Sequence, residues 1–160
     1  MSDNSQNEYY MLKAIKCAKR GISQGQTPFG ACIVNNDQIL AIAHNKVWRT
    51  TDITAHAEIV AIRAACKKNK SISLKGAVIY STCEPCPMCF SAIHWAGISM
   101  IVYGSSIKDA KKVGFNELAI SNLKMKKYGA SRISLVKNVL LKENLELFET
   151  WADSSKNKVY

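Results

Sequence analysis

The chain has 160 residues, of which 48% are hydrophobic and 21% are charged. These values are typical of one globular domain spanning residues 1–160, and they exclude collagen-like, coiled-coil and disordered classes. The charge is less ordinary, since 22 Lys and Arg residues oppose 12 Asp and Glu residues and give a net charge of +10. Such an excess is typical of proteins that bind nucleic acids or other anions. Most of the basic residues are dispersed lysines, however, which favours a solvated lysine surface.

The hydrophobic pattern predicts helices and strands that alternate along most of the chain. It predicts a helix over residues 8–25, a hairpin of strands over 29–34 and 38–44, a helix over 54–68, a strand over 77–81, a helix over 86–96 introduced by Pro85, a strand over 100–103, a short helix over 107–113, a strand over 133–136 and a terminal helix over 141–152. This order predicts an α/β fold, a three-layer α/β/α sandwich.

The environment of the protein is indicated by its apolar runs and its cysteines. The chain contains no run of 18 apolar residues and begins with a polar segment, so we expect a cytoplasmic protein without a membrane partner. Three of its six cysteines fall within residues 83–89. A cluster this tight in a cytoplasmic protein indicates metal or redox chemistry rather than disulfide bonds.

Two short motifs supply the ligands of a catalytic zinc site. His56 is followed by Ala57 and Glu58, and Cys86 and Cys89 lie in a Pro-Cys-x-x-Cys motif. Catalytic zinc is held by three protein ligands, and a water molecule takes the fourth position. We therefore predict that His56, Cys86 and Cys89 bind Zn²⁺, one ion per chain. Glu58 is predicted to act as the general base that takes a proton from the zinc-bound water.

The same motifs leave a structural zinc site open as an alternative. In that case Cys83 would be the fourth ligand, and the protein would be a binding module without catalytic activity. A structural site has no use for a carboxylate at Glu58, so we favour the catalytic site.

The order and spacing of these motifs identify the chain as similar to the cytidine and purine deaminase superfamily. Pro28-Phe29-Gly30-Ala31, His56-Ala57-Glu58 and Pro85-Cys86-Pro87-Met88-Cys89 occur in the order that the superfamily uses. The resemblance implies a cytidine deaminase-like fold, with a five-stranded mixed sheet between helices. It also implies a zinc-dependent hydrolase that removes an amino group from a base.

Several segments resemble bacterial guanine deaminases in particular, among them Ala92-Ile93-His94-Trp95-Ala96 and Gly114-Phe115-Asn116-Glu117. This resemblance implies conversion of a small purine base, guanine, to xanthine and ammonia. Glu117 would then be a second proton shuttle. Phe29 and Trp95 would line or stack on the base, Asn45 would form a hydrogen bond with it, and Tyr160 would reach the site.

The resemblance also implies a homodimer in which the C-terminal segment, residues 140–160, is exchanged between subunits. Tyr160 would then enter the active site of the partner. The alternative activity is adenosine-to-inosine editing of tRNA, which uses the same zinc centre and would make use of the positive charge. Other nucleosides and aminated heterocycles are further alternatives within the superfamily.

Overall fold

The computed structural model describes residues 3–160 of the chain. Its helices are α1 Asp3–Ser23, α2 Val47–Thr50, α3 Ala57–Asn69, α4 Pro87–Trp95, α5 Ile107–Lys112, α6 Asn122–Tyr128 and α7 Leu141–Ala152. Its strands are β1 Gly30–Asn35, β2 Gln38–His44, β3 Val78–Cys83, β4 Met100–Ser105 and β5 Ser134–Val136.

The strands form one mixed sheet in the order β2-β1-β3-β4-β5. Strand β1 is antiparallel to both of its neighbours, whereas β3, β4 and β5 are parallel to one another. Parallel strands need crossover connections, and α4 supplies the connection between β3 and β4. The prediction of a five-stranded mixed sheet is confirmed.

Helices pack on both faces of this sheet. Helices α1 and α7 contact each other on one side, and α3 and α4 contact each other on the other side. Ile33, Ile79 and Ile101 are fully buried in the central strands, and Met11 and Leu147 are buried in the helices above them. Burial of each such side chain contributes roughly 1.5–3 kcal/mol to the hydrophobic term. The three-layer prediction is therefore confirmed as well.

The segments that carry the sequence motifs lie together at one end of the strands. Strands β3 and β4 end there, β1 begins there, and β2 ends there because it runs antiparallel to β1. Helices α3 and α4 also begin at this end of the sheet, at His56 and Cys86. In α/β sheets, ligands bind in the crevice at the carboxyl ends of the strands.

Three features of the helices differ from the sequence predictions. Helix α2 is a single turn, too short to produce a hydrophobic period, and α6 presents mostly lysines and polar residues, so neither was predicted. Helix α1 begins at Asp3 rather than at residue 8, since polar residues continue the helix beyond its buried face. Pro87, and not Pro85, occupies the first turn of α4, where the missing N–H of proline costs no hydrogen bond.

Two further features of the structure are the state of its cysteines and the apolar character of its helices. All six cysteines are free thiols in the structure. Across residues 3–160, no helix combines the length and the apolar character that a membrane span requires.

Candidate metal centre and active site

The predicted metal ligands come together at the start of two helices. His56 is the N-cap residue of α3, Cys86 is the N-cap residue of α4, and Cys89 lies in the first turn of α4. Nδ1 of His56 lies 3.7 Å from Sγ of Cys86 and 3.6 Å from Sγ of Cys89. The three ligand atoms lie within 4.8 Å of one another.

These distances fit a zinc ion. Zinc bonds of 2.0–2.3 Å in a tetrahedron place nitrogen and sulfur ligands about 3.5 Å apart. The N-terminal ends of α3 and α4 add partial positive charge that stabilises thiolates. The site therefore has the donor set, the spacing and the electrostatics of a His/Cys/Cys zinc site.

The two thiols share one proton when no metal is bound. A hydrogen bond from Cys89, together with the neighbouring His56, lowers the pKa of the Cys86 thiol to about 4. The same hydrogen bond, with burial, raises the pKa of Cys89 well above its ordinary value. A zinc ion held by these residues would displace that proton, because cysteine binds zinc as the thiolate.

Cys83 does not complete a fourth ligand position. Its Sγ donates a hydrogen bond to the carbonyl oxygen of Ser106 at 3.4 Å, and the side chain is buried. Within residues 3–160, the group of possible metal ligands consists of His56, Cys86 and Cys89. The closed structural site considered from the sequence is thus not the arrangement found.

Glu58 lies beside the ligands without belonging to them. It occupies the first turn of α3 and is 6% exposed, and Oγ of Ser81 donates a hydrogen bond to its Oε1 at 3.1 Å. Burial raises the pKa of this carboxyl group. A carboxylate with a raised pKa can take up a proton and return it, as general acid–base catalysis requires.

A cavity of about 270 Å³ opens beside the metal ligands, and Glu117 lies in its wall. Oε2 of Glu117 is buried and has no hydrogen-bond partner within the described part of the chain. Burial, followed by the negative charges of Cys86 and Glu58, raises the pKa of Glu117 to about 8. A carboxyl group with a pKa raised in this way keeps its proton to higher pH than an ordinary glutamate and can donate it into the cavity.

The C-terminal residue closes the cavity on another side. The hydroxyl of Tyr160 accepts a hydrogen bond of 2.8 Å from Nδ2 of Asn45, and its ring centre lies 5.5 Å from that of His56. Oδ1 of Asn45 accepts from the backbone N–H of Val47 at 3.0 Å, which fixes the orientation of the amide. In this single chain Tyr160 thus lies in the site of its own chain.

The two predicted aromatic walls occupy other places. Phe29 is buried behind Phe115, with ring centres 4.8 Å apart, and it is Phe115 that lines the cavity. Phe29 precedes β1 and its ring packs into the core against Phe148. Trp95 is 86% exposed at the end of α4 and does not line the cavity of its own chain. The sequence could not distinguish Phe29 from Phe115, because the choice depends on how the loop before α6 folds back.

Glu84 is a residue of the site that sequence reasoning missed. It is buried, and its carboxylate accepts hydrogen bonds from the backbone N–H groups of Asn122 at 2.8 Å and Ile107 at 3.3 Å. Nδ2 of Asn122 donates to the carbonyl oxygen of Pro85. The turn that precedes Cys86 is therefore tied to the first residues of α5 and α6, the two helices that flank the loop carrying Glu117. A charged residue directly before the Pro-Cys motif was the available signal.

Comparison with known proteins places this geometry in a family. Residues 4–105 match the family model described as the cytidine and deoxycytidylate deaminase zinc-binding region. These residues include the three metal ligands, Glu58 and Glu84.

Relatives extend the similarity to nearly the whole chain. Guanine deaminase of Bacillus subtilis is 36% identical over 155 residues, which are 96% of this chain and 99% of that protein. A tRNA-specific adenosine deaminase of the same organism is 42% identical over 101 residues, 63% of each chain. The solved structure of a guanine deaminase from Nitrosomonas europaea superposes with a TM-score of 0.85, at 24% identity, over 92% of this chain and 85% of that one. The zinc-site geometry and the sequence of this chain lead to one conclusion: the chain belongs to the deaminase family that has the cytidine and deoxycytidylate deaminase zinc-binding region, and it is a zinc-dependent hydrolase.

Proposed function

We propose that the protein hydrolyses guanine to xanthine and ammonia. The observation that carries this proposal is the small cavity in which the zinc ligands meet Glu117 and Tyr160. Its volume of about 270 Å³ lies just below the range of pockets for drug-sized ligands, and it suits a single planar base. Similarity to a guanine deaminase over 96% of the chain supports the choice of base.

Glu58 performs the first proton transfer. His56, Cys86 and Cys89 would hold one zinc ion, which would supply Lewis acidity and would lower the pKa of a water bound at the open position to about 7. Glu58 takes one proton from the water as its oxygen attacks C2 of guanine. Glu58 then delivers this proton to N3 of the ring, which carries a hydrogen in xanthine.

Glu117 performs the second proton transfer. The carbon–nitrogen bond to the amino group breaks only if that group leaves as ammonia, which requires a proton. Glu117, whose pKa is raised by burial, donates this proton, and it recovers one from the oxygen at C2 as the new carbonyl forms. One water is consumed, and its two hydrogens end on N3 and on ammonia.

Tyr160 holds the base in place and Phe115 supplies an aromatic wall for its ring. Asn45, predicted from the sequence to form a hydrogen bond with the base, is buried outside the cavity wall and positions Tyr160 instead. The hydrogen bond between Asn45 and Tyr160 orients the tyrosine ring towards His56. Polar groups fixed in this way, inside an otherwise apolar cavity, provide orientation and specificity. Phe29 supports Phe115 from behind.

A panel of aminated substrates tests the proposal. The zinc-loaded protein is offered guanine, guanosine, adenine, cytosine and cytidine, and ammonia release is measured for each. We expect guanine to give the highest kcat/KM, because the cavity has little room for a ribose. A higher kcat/KM with guanosine or cytidine would contradict the proposed substrate.

Editing of tRNA is the second candidate. The relative that is 42% identical and carries that name supports it, as does the net charge of +10. Editing requires salt-sensitive affinity for tRNA, because phosphate contacts release counterions. Tyr160, which closes the cavity, favours a free base over a flipped nucleotide. Inosine formation in tRNA at a rate above that of xanthine formation would favour editing.

We further propose a homodimer, in which Trp95 acts across the interface. Exposed apolar side chains line the cavity and lie on the nearby helices α4 and α6; they are Ile53, Met88 and Leu118 at the cavity, Trp95 on α4 and Leu123 on α6. Met88 and Trp95 are two helical turns apart and share one face of α4. If two copies of α4 pack antiparallel about a two-fold axis, Trp95 of one lies near Met88 of the other, at the mouth of its cavity. Exchange of residues 140–160 between the subunits remains part of this proposal.

The thiols support a cytoplasmic location. Zinc needs Cys86 and Cys89 as thiolates, and the other four cysteines are free as well. A reducing compartment keeps thiols in this state. Cell fractionation with an antibody to the protein tests the location.

A further inference from the structure

A second cavity, of about 260 Å³, lies at the edge of the sheet formed by β2. Its walls come from the last turn of α1, the end of β2, helix α2 and one side of α3. It shares no lining residue with the cavity of the metal centre. The proposed deamination makes no use of it.

Basic side chains line this cavity and lack acidic partners. Arg20, Lys46 and Arg49 contribute to its walls, and no acidic residue does. Two ion pairs occur between side chains in residues 3–160, and neither of them includes these three residues. Three cations that face one cavity repel one another, and a bound anion would relieve this repulsion.

These basic side chains influence the pKa values of two buried groups, His44 and Cys17. Burial lowers the pKa of His44, which lies in the wall, and the charges of Arg20, Lys46 and Arg49 lower it further. Burial raises the pKa of Cys17 nearby, while Arg20 and Lys46 act in the opposite direction. Burial and these charges therefore favour the neutral form of His44, and the positive charge of the cavity comes from the arginines and the lysine.

The chemistry of the lining points to phosphate. Two guanidinium groups offer planar pairs of N–H donors that match phosphate oxygens, and an ammonium group adds a third donor. We propose that this cavity binds the phosphate group of a small molecule, such as inorganic phosphate or a phosphate monoester. A cavity of about 260 Å³ holds a phosphate and a small attached group, whereas a nucleic acid would need an extended surface.

The position of the cavity links it to the active site. His44 and Lys46 line the cavity, and Asn45 between them holds Tyr160 on the other side of the chain. Nδ1 of His44 donates a hydrogen bond to the carbonyl oxygen of Asn45 at 2.6 Å. A bound phosphate thus contacts the backbone segment that positions Asn45.

Titration of the zinc-loaded protein with inorganic phosphate tests the site. Calorimetry at low ionic strength gives the affinity, and amide NMR shifts locate the binding. We expect shifts at residues 20–24 and 42–49, and affinity at least about tenfold weaker in the Arg20→Gln/Arg49→Gln double variant. The matched control is Lys75→Gln/Arg132→Gln, which removes two charges from a different cavity and should keep the affinity.

Several results would overturn the proposal. One is the absence of phosphate binding, and another is an equal loss of affinity in both double variants. Shifts confined to residues 56–58 and 86–89 would place the phosphate at the zinc centre instead. A further contradicting result would come from a short single-stranded RNA. If the RNA bound at residues 42–49, and inorganic phosphate neither bound there nor displaced the RNA, the site would be one for nucleic acid. Circular dichroism and zinc content of each variant show that the fold is retained.

Discussion

At the scale of single residues, Glu58 is the group on which the proposed chemistry depends. Replacing it with Gln keeps the size and the contact with Ser81 but removes the base. We expect Glu58→Gln to bind zinc and to lose a factor of about 10²–10⁴ in kcat, the range of general acid–base catalysis. Zinc content and steady-state kinetics measure the two effects. Glu149→Gln, at an exposed position of α7, is the control. A variant that kept wild-type turnover would remove Glu58 from the mechanism.

Glu117 should make the rate of the reaction depend on pH. Its pKa is raised to about 8, and its protonated form is the active one, so kcat/KM should fall as the pH rises through about 8. Glu117→Gln cannot donate a proton as an acid, so we expect a lower rate and no fall in that pH range. A pH profile of both proteins, each loaded with zinc, measures the difference. The same fall near pH 8 in the variant would assign it to another group.

The metal ligands and Glu58 could be predicted from the sequence because each motif is local. His56 and Glu58 lie two residues apart, and Cys86 and Cys89 lie three apart at a helix start, so the spacing already contains the geometry. Phe115 could not be predicted in this way. Its place in the cavity depends on a loop that crosses from α5 to α6, and no local pattern records that path.

At the scale of elements, Glu84 connects the turn that precedes the metal ligand Cys86 to the first residues of α5 and α6. Glu84→Ala leaves two buried backbone N–H groups without their acceptor, which costs roughly 1–3 kcal/mol each. We expect a loss of stability, retained zinc and a lower kcat, because the loop between α5 and α6 carries Glu117. Urea denaturation, zinc analysis and kinetics give these three values. Glu84→Gln keeps one acceptor oxygen and should recover part of the turnover.

A second variant that weakens the start of α5 separates positioning from general loss of stability. Ser106 caps α5 at the same end, and its side chain accepts a hydrogen bond from the backbone N–H of Asp109. Ser106→Ala should cost about 1 kcal/mol of stability and leave kcat nearly unchanged. If kcat fell in proportion to the loss in free energy of unfolding in both Glu84→Ala and Ser106→Ala, the role of Glu84 would be structural only.

The elements themselves were predictable where packing imposes a period. Helix α1 buries Met11, Ala14, Ile15 and Ala18 on one face, and the central strands β1 and β3 are almost wholly buried. Helix α6 lacks this signal because Leu123 and Tyr128 are exposed and three of its seven residues are lysines. Its N-cap, Ser121, was the single local indication of a helix start.

At the scale of the whole molecule, the place of the C-terminal segment decides how active sites are completed. A single chain and a dimer with exchanged segments make the same contacts between Tyr160 and Asn45. Mixing two inactive variants distinguishes them. The first is Glu58→Gln, and the second lacks Tyr160 but retains Glu58.

We expect activity to appear on mixing, after the subunits are allowed to exchange. In an exchanged dimer the first variant supplies Tyr160 to the intact site of the second. Kinetics of the mixture, with each variant alone as the control, measure the recovery. A mixture no more active than the sum of its components would show that each site uses its own Tyr160.

The structure shows where part of the net positive charge lies. From the sequence alone, the net charge of +10 is compatible with nucleic-acid binding and with a solvated lysine surface. In the structure, three of these basic residues meet in one cavity beside β2. This local concentration could not be predicted, because Arg20 lies far along the chain from Lys46 and Arg49.

Formation of xanthine from guanine tests the central claim most directly. The purified protein, loaded with one equivalent of zinc, is incubated with guanine, and xanthine and ammonia are both quantified. The account predicts equal amounts of the two products, loss of turnover when a chelator removes the zinc, and recovery when zinc is restored. No xanthine from the zinc-loaded protein, under conditions in which it converts adenosine in tRNA to inosine, would contradict it.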